Sequence, residues 1–267
     1  MTHRHMLRAL ALLAALTGTP AGAANLVPHE ARFALSLVSM GGAEAVASAG
    51  GEMVFRIEQA CTGWTVLSRM VFGVALDAQH GMRIESLSGL TESSDGRTLT
   101  FEHQTSLNGQ PSNVTRGTAT VGDGNGAGRA LYTLPDRVEL TLPKGTVLPV
   151  AATEATLAAF SKGQKLRSYV QFDGQNADGP VRISEVVGGK PRPLSNPPKG
   201  DVSLLNTPLW RISTSFFGLD ADSIEPIGVQ TSEMHANGII QRLQLDIDTM
   251  TVEGELIEIK ALPAKPC

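Results

Sequence analysis

Met234-His-Ala-Asn237-Gly238-Ile-Ile-Gln-Arg-Leu243-Gln-Leu245-Asp246-Ile247-Asp248 decides the fold class. Asn and Gly accept positive φ, so Asn237-Gly238 favours a tight hairpin turn. Beyond it, Leu243, Leu245 and Ile247 alternate with Gln244, Asp246 and Asp248, the period of a half-buried strand. Asp246 and Asp248 then read as the wet side of that strand, not as a paired-acid site. The same alternation recurs elsewhere. Phe33, Leu35 and Leu37 oppose Arg32 and Ser36, and Met53, Phe55 and Ile57 oppose Arg56 and Glu58. Ile257 and Ile259 oppose Glu258 and Lys260. Asp95-Gly96, Asn108-Gly109, Asp173-Gly174 and Asp178-Gly179 add further tight-turn signals between such runs.

One stretch breaks the strand pattern. Pro149 to Lys162 carries good helix formers ahead of a Gly163 stop, and Leu157 with Phe160 give it an apolar face that packs on a sheet. Asp201 to Leu205 predicts a short second helix. Gly188 to Gly200, with four prolines, reads as an exposed connection. No internal repeat and no interdomain linker is evident, so residues 25–267 predict one antiparallel β-rich domain.

The chain has 267 residues, with Lys+Arg 22 against Asp+Glu 26 and a net charge of −4. Residues 1–24 read as a secretory signal: Arg4 and Arg8 first, an apolar run from Ala9 to Leu16, then small residues permitting cleavage after Ala23 or Ala24. The alternative is a membrane anchor, for which the apolar run is short against about 20 residues. Export places the protein in the periplasm, with no transmembrane segment in the mature chain. The acidic balance argues against nucleic acid or an anionic membrane as the main partner. Only Cys61 and Cys267 occur. An even count in an exported chain favours a disulfide, which would close a loop of roughly 200 residues and stabilise by at most about 5 kcal/mol. Thiol catalysis is the rival. It finds no Cys-x-x-Cys, and no helix follows the terminal Cys267.

The chemical motifs are sparse. Gly122 to Gly128 lacks the Gly-Lys-Ser/Thr of a phosphate loop, and Ala127 and Leu134 stand where a calcium loop needs oxygen ligands. It reads as a surface loop. His29, His80, His103 and His235 are isolated from one another, and there is no His-Glu-x-x-His, Gly-x-Ser-x-Gly or Ser-x-x-Lys. No metal, cofactor or catalytic residue is nominated. Trp64 and Trp210 fit either a ligand groove or a buried core.

Several stretches in order resemble the envelope integrity protein B family of alphaproteobacterial periplasmic proteins. They are Leu26-Val-Pro-His29 through Leu37, Gly51 to Arg56, Cys61-Thr-Gly-Trp64, Leu142 to Pro149, Phe172-Asp173-Gly174, Val187 to Lys190, Trp210 to Phe217, Leu243 to Asp246 and the final Cys267. The chain departs from the family pattern at Ile247-Asp248, where an aromatic and a Gly are usual, and at Ala152, where a His is common. The resemblance implies a mainly β fold: a curved, spiral-like or open-barrel antiparallel sheet with one central helix. It also implies a Cys61–Cys267 disulfide tying the C-terminus to an early strand, a role in envelope integrity and no cofactor. It suggests a periplasmic protein partner built of tetratricopeptide repeats. Trp64, Trp210, Phe172 and Asp173 are the candidate ligand or partner surface. Three readings follow: a non-enzymatic interaction protein, a carrier of a lipid or lipoprotein acyl chain on the concave face of the sheet, and a hydrolase using one of the four histidines.

Overall fold

The computed structural model describes residues 26–41, 46–77, 80–123, 126–175, 178–219, 224–247 and 249–264. The expected signal segment, Asp248 and Cys267 lie outside the described residues.

A lone ribbon of alternating residues cannot cover its apolar face, so the chain adds hairpin to hairpin. β1 (His29–Met40), β2 (Ser48–Ala60), β3 (Gly63–Ala75) and β4 (Gly81–Ser93) begin the ladder. It runs on through β5 (Thr98–Leu107), β6 (Gln110–Thr120), β7 (Gly128–Leu134) and β8 (Val138–Leu142). Helix α1 (Pro149–Ser161) intervenes before β9 (Leu166–Gln171), β10 (Val181–Val187) and the two-residue β11 (Lys199–Gly200). β12 (Leu209–Phe217), β13 (Gly228–His235), β14 (Ile240–Ile247) and β15 (Met250–Ala261) complete it. The order across the sheet is β8-β7-β6-β5-β4-β3-β2-β1-β15-β14-β13-β12-β10-β9, antiparallel at every step, with β11 pairing parallel to β15. β1 and β15 meet in the middle, His29 opposite Ala261 and Leu35 opposite Gly254.

The sheet is curved, because its two outermost strands come round toward each other. Just beyond β8, Val147 bridges to Gln171 of β9, with Val147 N–H on the Val170 carbonyl at 2.9 Å. Directly opposed residues share a face, so register identifies the concave side. Ile57, Val66, Leu90, Phe101, Gly117 and Tyr132 form one such row across β2 to β7. Phe101 and Tyr132 meet edge to face at 5.0 Å there. Gly117 makes that possible, since a Cβ on it would lie 2.6 Å from the Phe101 ring.

The alternation read at Phe33 and Leu35 holds, both being buried while Ala34 and Ser36 are exposed. Leu157 and Phe160 are the buried face of α1, and Gly163 ends the helix at φ 84°. The short second helix is a 3-10 turn at Val202–Leu205. Asn108-Gly109 is the symmetric hairpin turn expected, both residues at positive φ. At Asn237-Gly238 only Gly238 takes positive φ, and the register slips between Glu233 and Met234, giving a bulged hairpin instead.

Two expectations need correction. Asp173-Gly174 is not a tight turn; it lies within a longer β9–β10 connection that packs against the concave face. The Gly188 to Gly200 stretch is exposed along most of its length but is more than a connection. It lies over the outer face of β13 to β15. Arg192 N–H and Ser195 N–H are held by Glu233 and Glu255, and β11 pairs with Glu258–Ile259. Prolines that forbid a helix do not forbid docking through the amides between them.

Candidate functional site

One of the apolar clusters on the concave side, that of Leu26, Ile57 and Trp64, is built on α1. Its first-turn amides have no intrahelical partner and Leu148 at the N-cap brings no side-chain acceptor. Glu92 of β4 fills that role from across the sheet: its carboxylate accepts from Val150 N–H at 2.7 Å and Ala151 N–H at 2.8 Å. Burial pushes the Glu92 carboxyl above its ordinary range, and the two amides only partly counter it.

Trp64 and Trp210 face the same helix from opposite walls. Trp64, on β3, packs with Leu26, Ile57, Val150 and Leu157 and hydrogen-bonds the Glu154 carboxyl. Trp210, on β12, meets Phe160 edge to face at 6.0 Å. Behind them the Thr156 hydroxyl donates to Glu185 of β10, while Arg167 of β9 donates to the Ala152 carbonyl and to Thr156. The structure therefore brings both tryptophans to one place, as walls of a helix-filled interior. Ala152, where the resemblance leads one to look for a His, is buried in this helix.

Phe172 and Asp173 stand apart from them, as a plug on β5 to β7. Phe172 lies edge-on to Phe101 at 5.7 Å and to Tyr132 at 6.1 Å. His103 donates to the Asp173 carbonyl at 3.0 Å, and the Thr115 hydroxyl donates to the Gly174 carbonyl at 2.8 Å. Gly174, at φ 77°, sits flat on the Phe101 ring, where a Cβ would come within 2.4 Å. The Asp173 carboxylate accepts from Gln175 N–H, and burial holds it above the ordinary carboxyl range.

The histidines are engaged locally. His29, His103 and His235 each contact a backbone carbonyl, of Val27, Asp173 and Thr207 respectively. Burial lowers the pKa of His29 and of His235. His80 pairs with Asp77 on an exposed turn. Among the described residues no group of three His, Cys, Asp or Glu is spaced to hold a metal ion. The Gly122 to Gly128 loop carries an Arg97–Asp123 ion pair; residues 124 and 125 lie outside the described residues.

Sequence reasoning missed two features on the outer face. Under the 190–200 strap, Arg242 is 6% exposed and its guanidinium reaches Glu253 at 2.9 Å, Glu255 at 2.6 Å and the Pro193 carbonyl at 2.8 Å. Glu233, 1% exposed, accepts from Gln241 and Arg211 beside it. Burial pushes Glu255 up, but the Ser195 amide and hydroxyl and Arg242 outweigh it and hold the carboxyl below its ordinary range. The second feature is a groove of about 440 Å³ across β2 to β5, lined by Val54, Leu67 and Leu87, with Arg69 between Val54 and Leu87 and with Arg56 and Glu102 at its margins. Gly89 opposite Leu67 leaves its floor open.

A long antiparallel sheet wound about one helix defines a β-barrel-like protein. The fold matches a crystal structure described as a β-barrel-like protein of a domain of unknown function from Brucella abortus. The TM-score is 0.75 at 24% identity, covering 90% of this chain and 99% of that one. The chain belongs to the EipB-like family, whose model matches residues 20–263. No curated protein matches it. No helix among the described residues is long and apolar enough to cross a membrane.

Proposed function

We propose that the protein is a non-enzymatic periplasmic interaction protein that supports cell-envelope integrity by binding a protein partner, one of tetratricopeptide-repeat type being the first to test. Residues 1–24 serve as its export signal and 25–267 as its single working domain. The observation that carries the reading is the contrast between the two faces: α1 and the Phe172 plug occupy the concave side, while the outer side presents an open groove with exposed leucines. Carriage of an acyl chain on the concave face has less support, because that face is where the helix and the plug sit.

A Cys61–Cys267 disulfide belongs to the same reading. Cys61 lies in the turn directly after β2, and no cysteine among the described residues is free. β15 ends at the same end of the sheet: Ala261 opposes His29, which opposes Ile57. Two strand spacings separate them, about 10 Å, and the six residues after Ala261 extend to roughly 20 Å.

Mild crosslinking of the tagged chain in its own periplasm, followed by recovery and mass spectrometry, tests the reading. Repeated recovery of one specific protein is expected. Recovery of none, or a purified chain with both thiols free, overturns the corresponding part.

A further inference from the structure

We infer that the outer groove across β2 to β5 is the partner-binding surface, and that it takes an α-helix presenting an aliphatic side chain one turn from a carboxylate. The inference rests on the interaction reading above and names the partner's chemistry.

Charge sets the first requirement on the partner. The outer face around the groove is laced with ion pairs: Arg32 with Glu52, Arg56 with Glu30 and Glu58, and Arg116 with Glu102. Each of those cations is answered by an acid. Arg69 is exposed between Val54 and Leu87, and among the described residues no carboxylate pairs with it. The groove thus offers an apolar floor with one uncompensated positive charge, in a protein that is acidic overall. Its complement is one apolar anchor beside one anion.

Shape narrows the occupant. Strands β2 to β5 are paired on both sides, so a partner cannot add a strand here and must insert side chains. Three strand spacings make the groove about 14 Å across, the width of a helix with its side chains at about 10–12 Å. The walls are low, with Leu67 and Leu87 47% and 46% exposed. An alkyl chain laid there stays largely in water, whereas ligand pockets enclose roughly 70–90% of their occupant. A protein helix brings its own cover.

The test places a photo-crosslinking residue at Gln104 on the groove margin and, separately, at Glu139 on β8, in the full-length chain expressed in its own periplasm. Adducts from Gln104 are expected on one protein, at an apolar helical residue with an Asp or Glu three or four positions away. Arg69→Glu should cut the adduct by at least about tenfold, and replacing that partner acid with Lys should restore it. Gly89→Leu should cut it too, by filling the floor; a Cβ there makes ordinary contacts at 3.5 and 4.0 Å, and the unfolding midpoint of each variant is measured alongside, so that lost capture at an unchanged midpoint reads as lost binding. Adducts from Gln104 that map to lipid or to a second copy of the chain overturn the inference, as does undiminished capture by Arg69→Glu. Adducts from Glu139 alone overturn the groove assignment and leave the interaction reading standing. Adducts from neither position overturn both.

Discussion

Glu92 and Glu233 are each about 1% exposed, yet they are buried by opposite means. Glu92, on the concave side, is met by two amide N–H groups at the start of α1. Glu233, on the outer side, sits among Arg211, Arg242, Gln241 and the amide of Arg192. At Glu92 desolvation outweighs the two amides, and the carboxyl titrates high. Glu255, in the same outer cluster as Glu233, is held low by the Ser195 amide and hydroxyl together with Arg242. One sheet thus seats its helix on a carboxylate met by amides alone, and its strap on carboxylates met by amides and guanidinium groups together.

Breaking the outer cluster should cost most. Arg242→Met leaves Glu233, Glu253 and Glu255 facing one another under the strap, and should destabilise by about 3–5 kcal/mol in urea unfolding. On the concave side Leu157→Ala removes a fully buried helix side chain and should cost about 2–4 kcal/mol. Glu92→Ala orphans the buried Val150 amide and the half-buried Ala151 amide, for about 1–3 kcal/mol. A strap that matters less than the helix would reverse the first two of these.

The pH response sharpens the contrast further. The folded pKa of Glu92 lies above its ordinary value of 4.5, so its contribution to stability is full below that value and is lost as pH rises through the raised one. Glu255 is depressed, so its contribution is full above 4.5 and is lost as pH falls through the lowered value. Wild type should therefore gain on Glu92→Gln as pH falls from 7 toward 4.5, and lose ground to Glu255→Gln at lower pH. Urea midpoints across pH 3 to 7 read both trends, and parallel behaviour of the two variants contradicts the comparison. At the small end, Arg129→Ala removes an exposed pair with Glu139 at 3.6 Å and should leave the midpoint unchanged.

Much of the sheet was legible because its cause is local. Phe33 and Leu35 declare their face within a few residues, and Gly163 ends α1 as a stop signal should. The failures arise where a distant segment changes what a residue touches. Gln241 and Arg242 follow a hairpin turn with nothing local to mark them, but both are buried, because residues 190–200 lie across them from some 50 positions away. Nothing near Glu92 in the sequence marks it; its carboxylate is needed by a helix that begins 57 residues later. Asp173-Gly174 carries turn chemistry, yet the Phe101 ring it rests on comes from another hairpin. The site was least legible of all. Trp64 and Trp210 signalled only bulk, while the groove owes its existence to a missing side chain at Gly89.

The pairing of β1 with β15 has a consequence for how the molecule is built. Residues 29–142 can zip together as they emerge, each strand against the one just before it. The remaining strands reach that half of the sheet only through the last one, so the edge of β1 that receives β15 stays bare until nearly the whole polypeptide has been delivered. Truncation just before Met250 therefore leaves two partial sheets with sticky margins, and the dozen residues of β15 act as the clasp that turns them into one object.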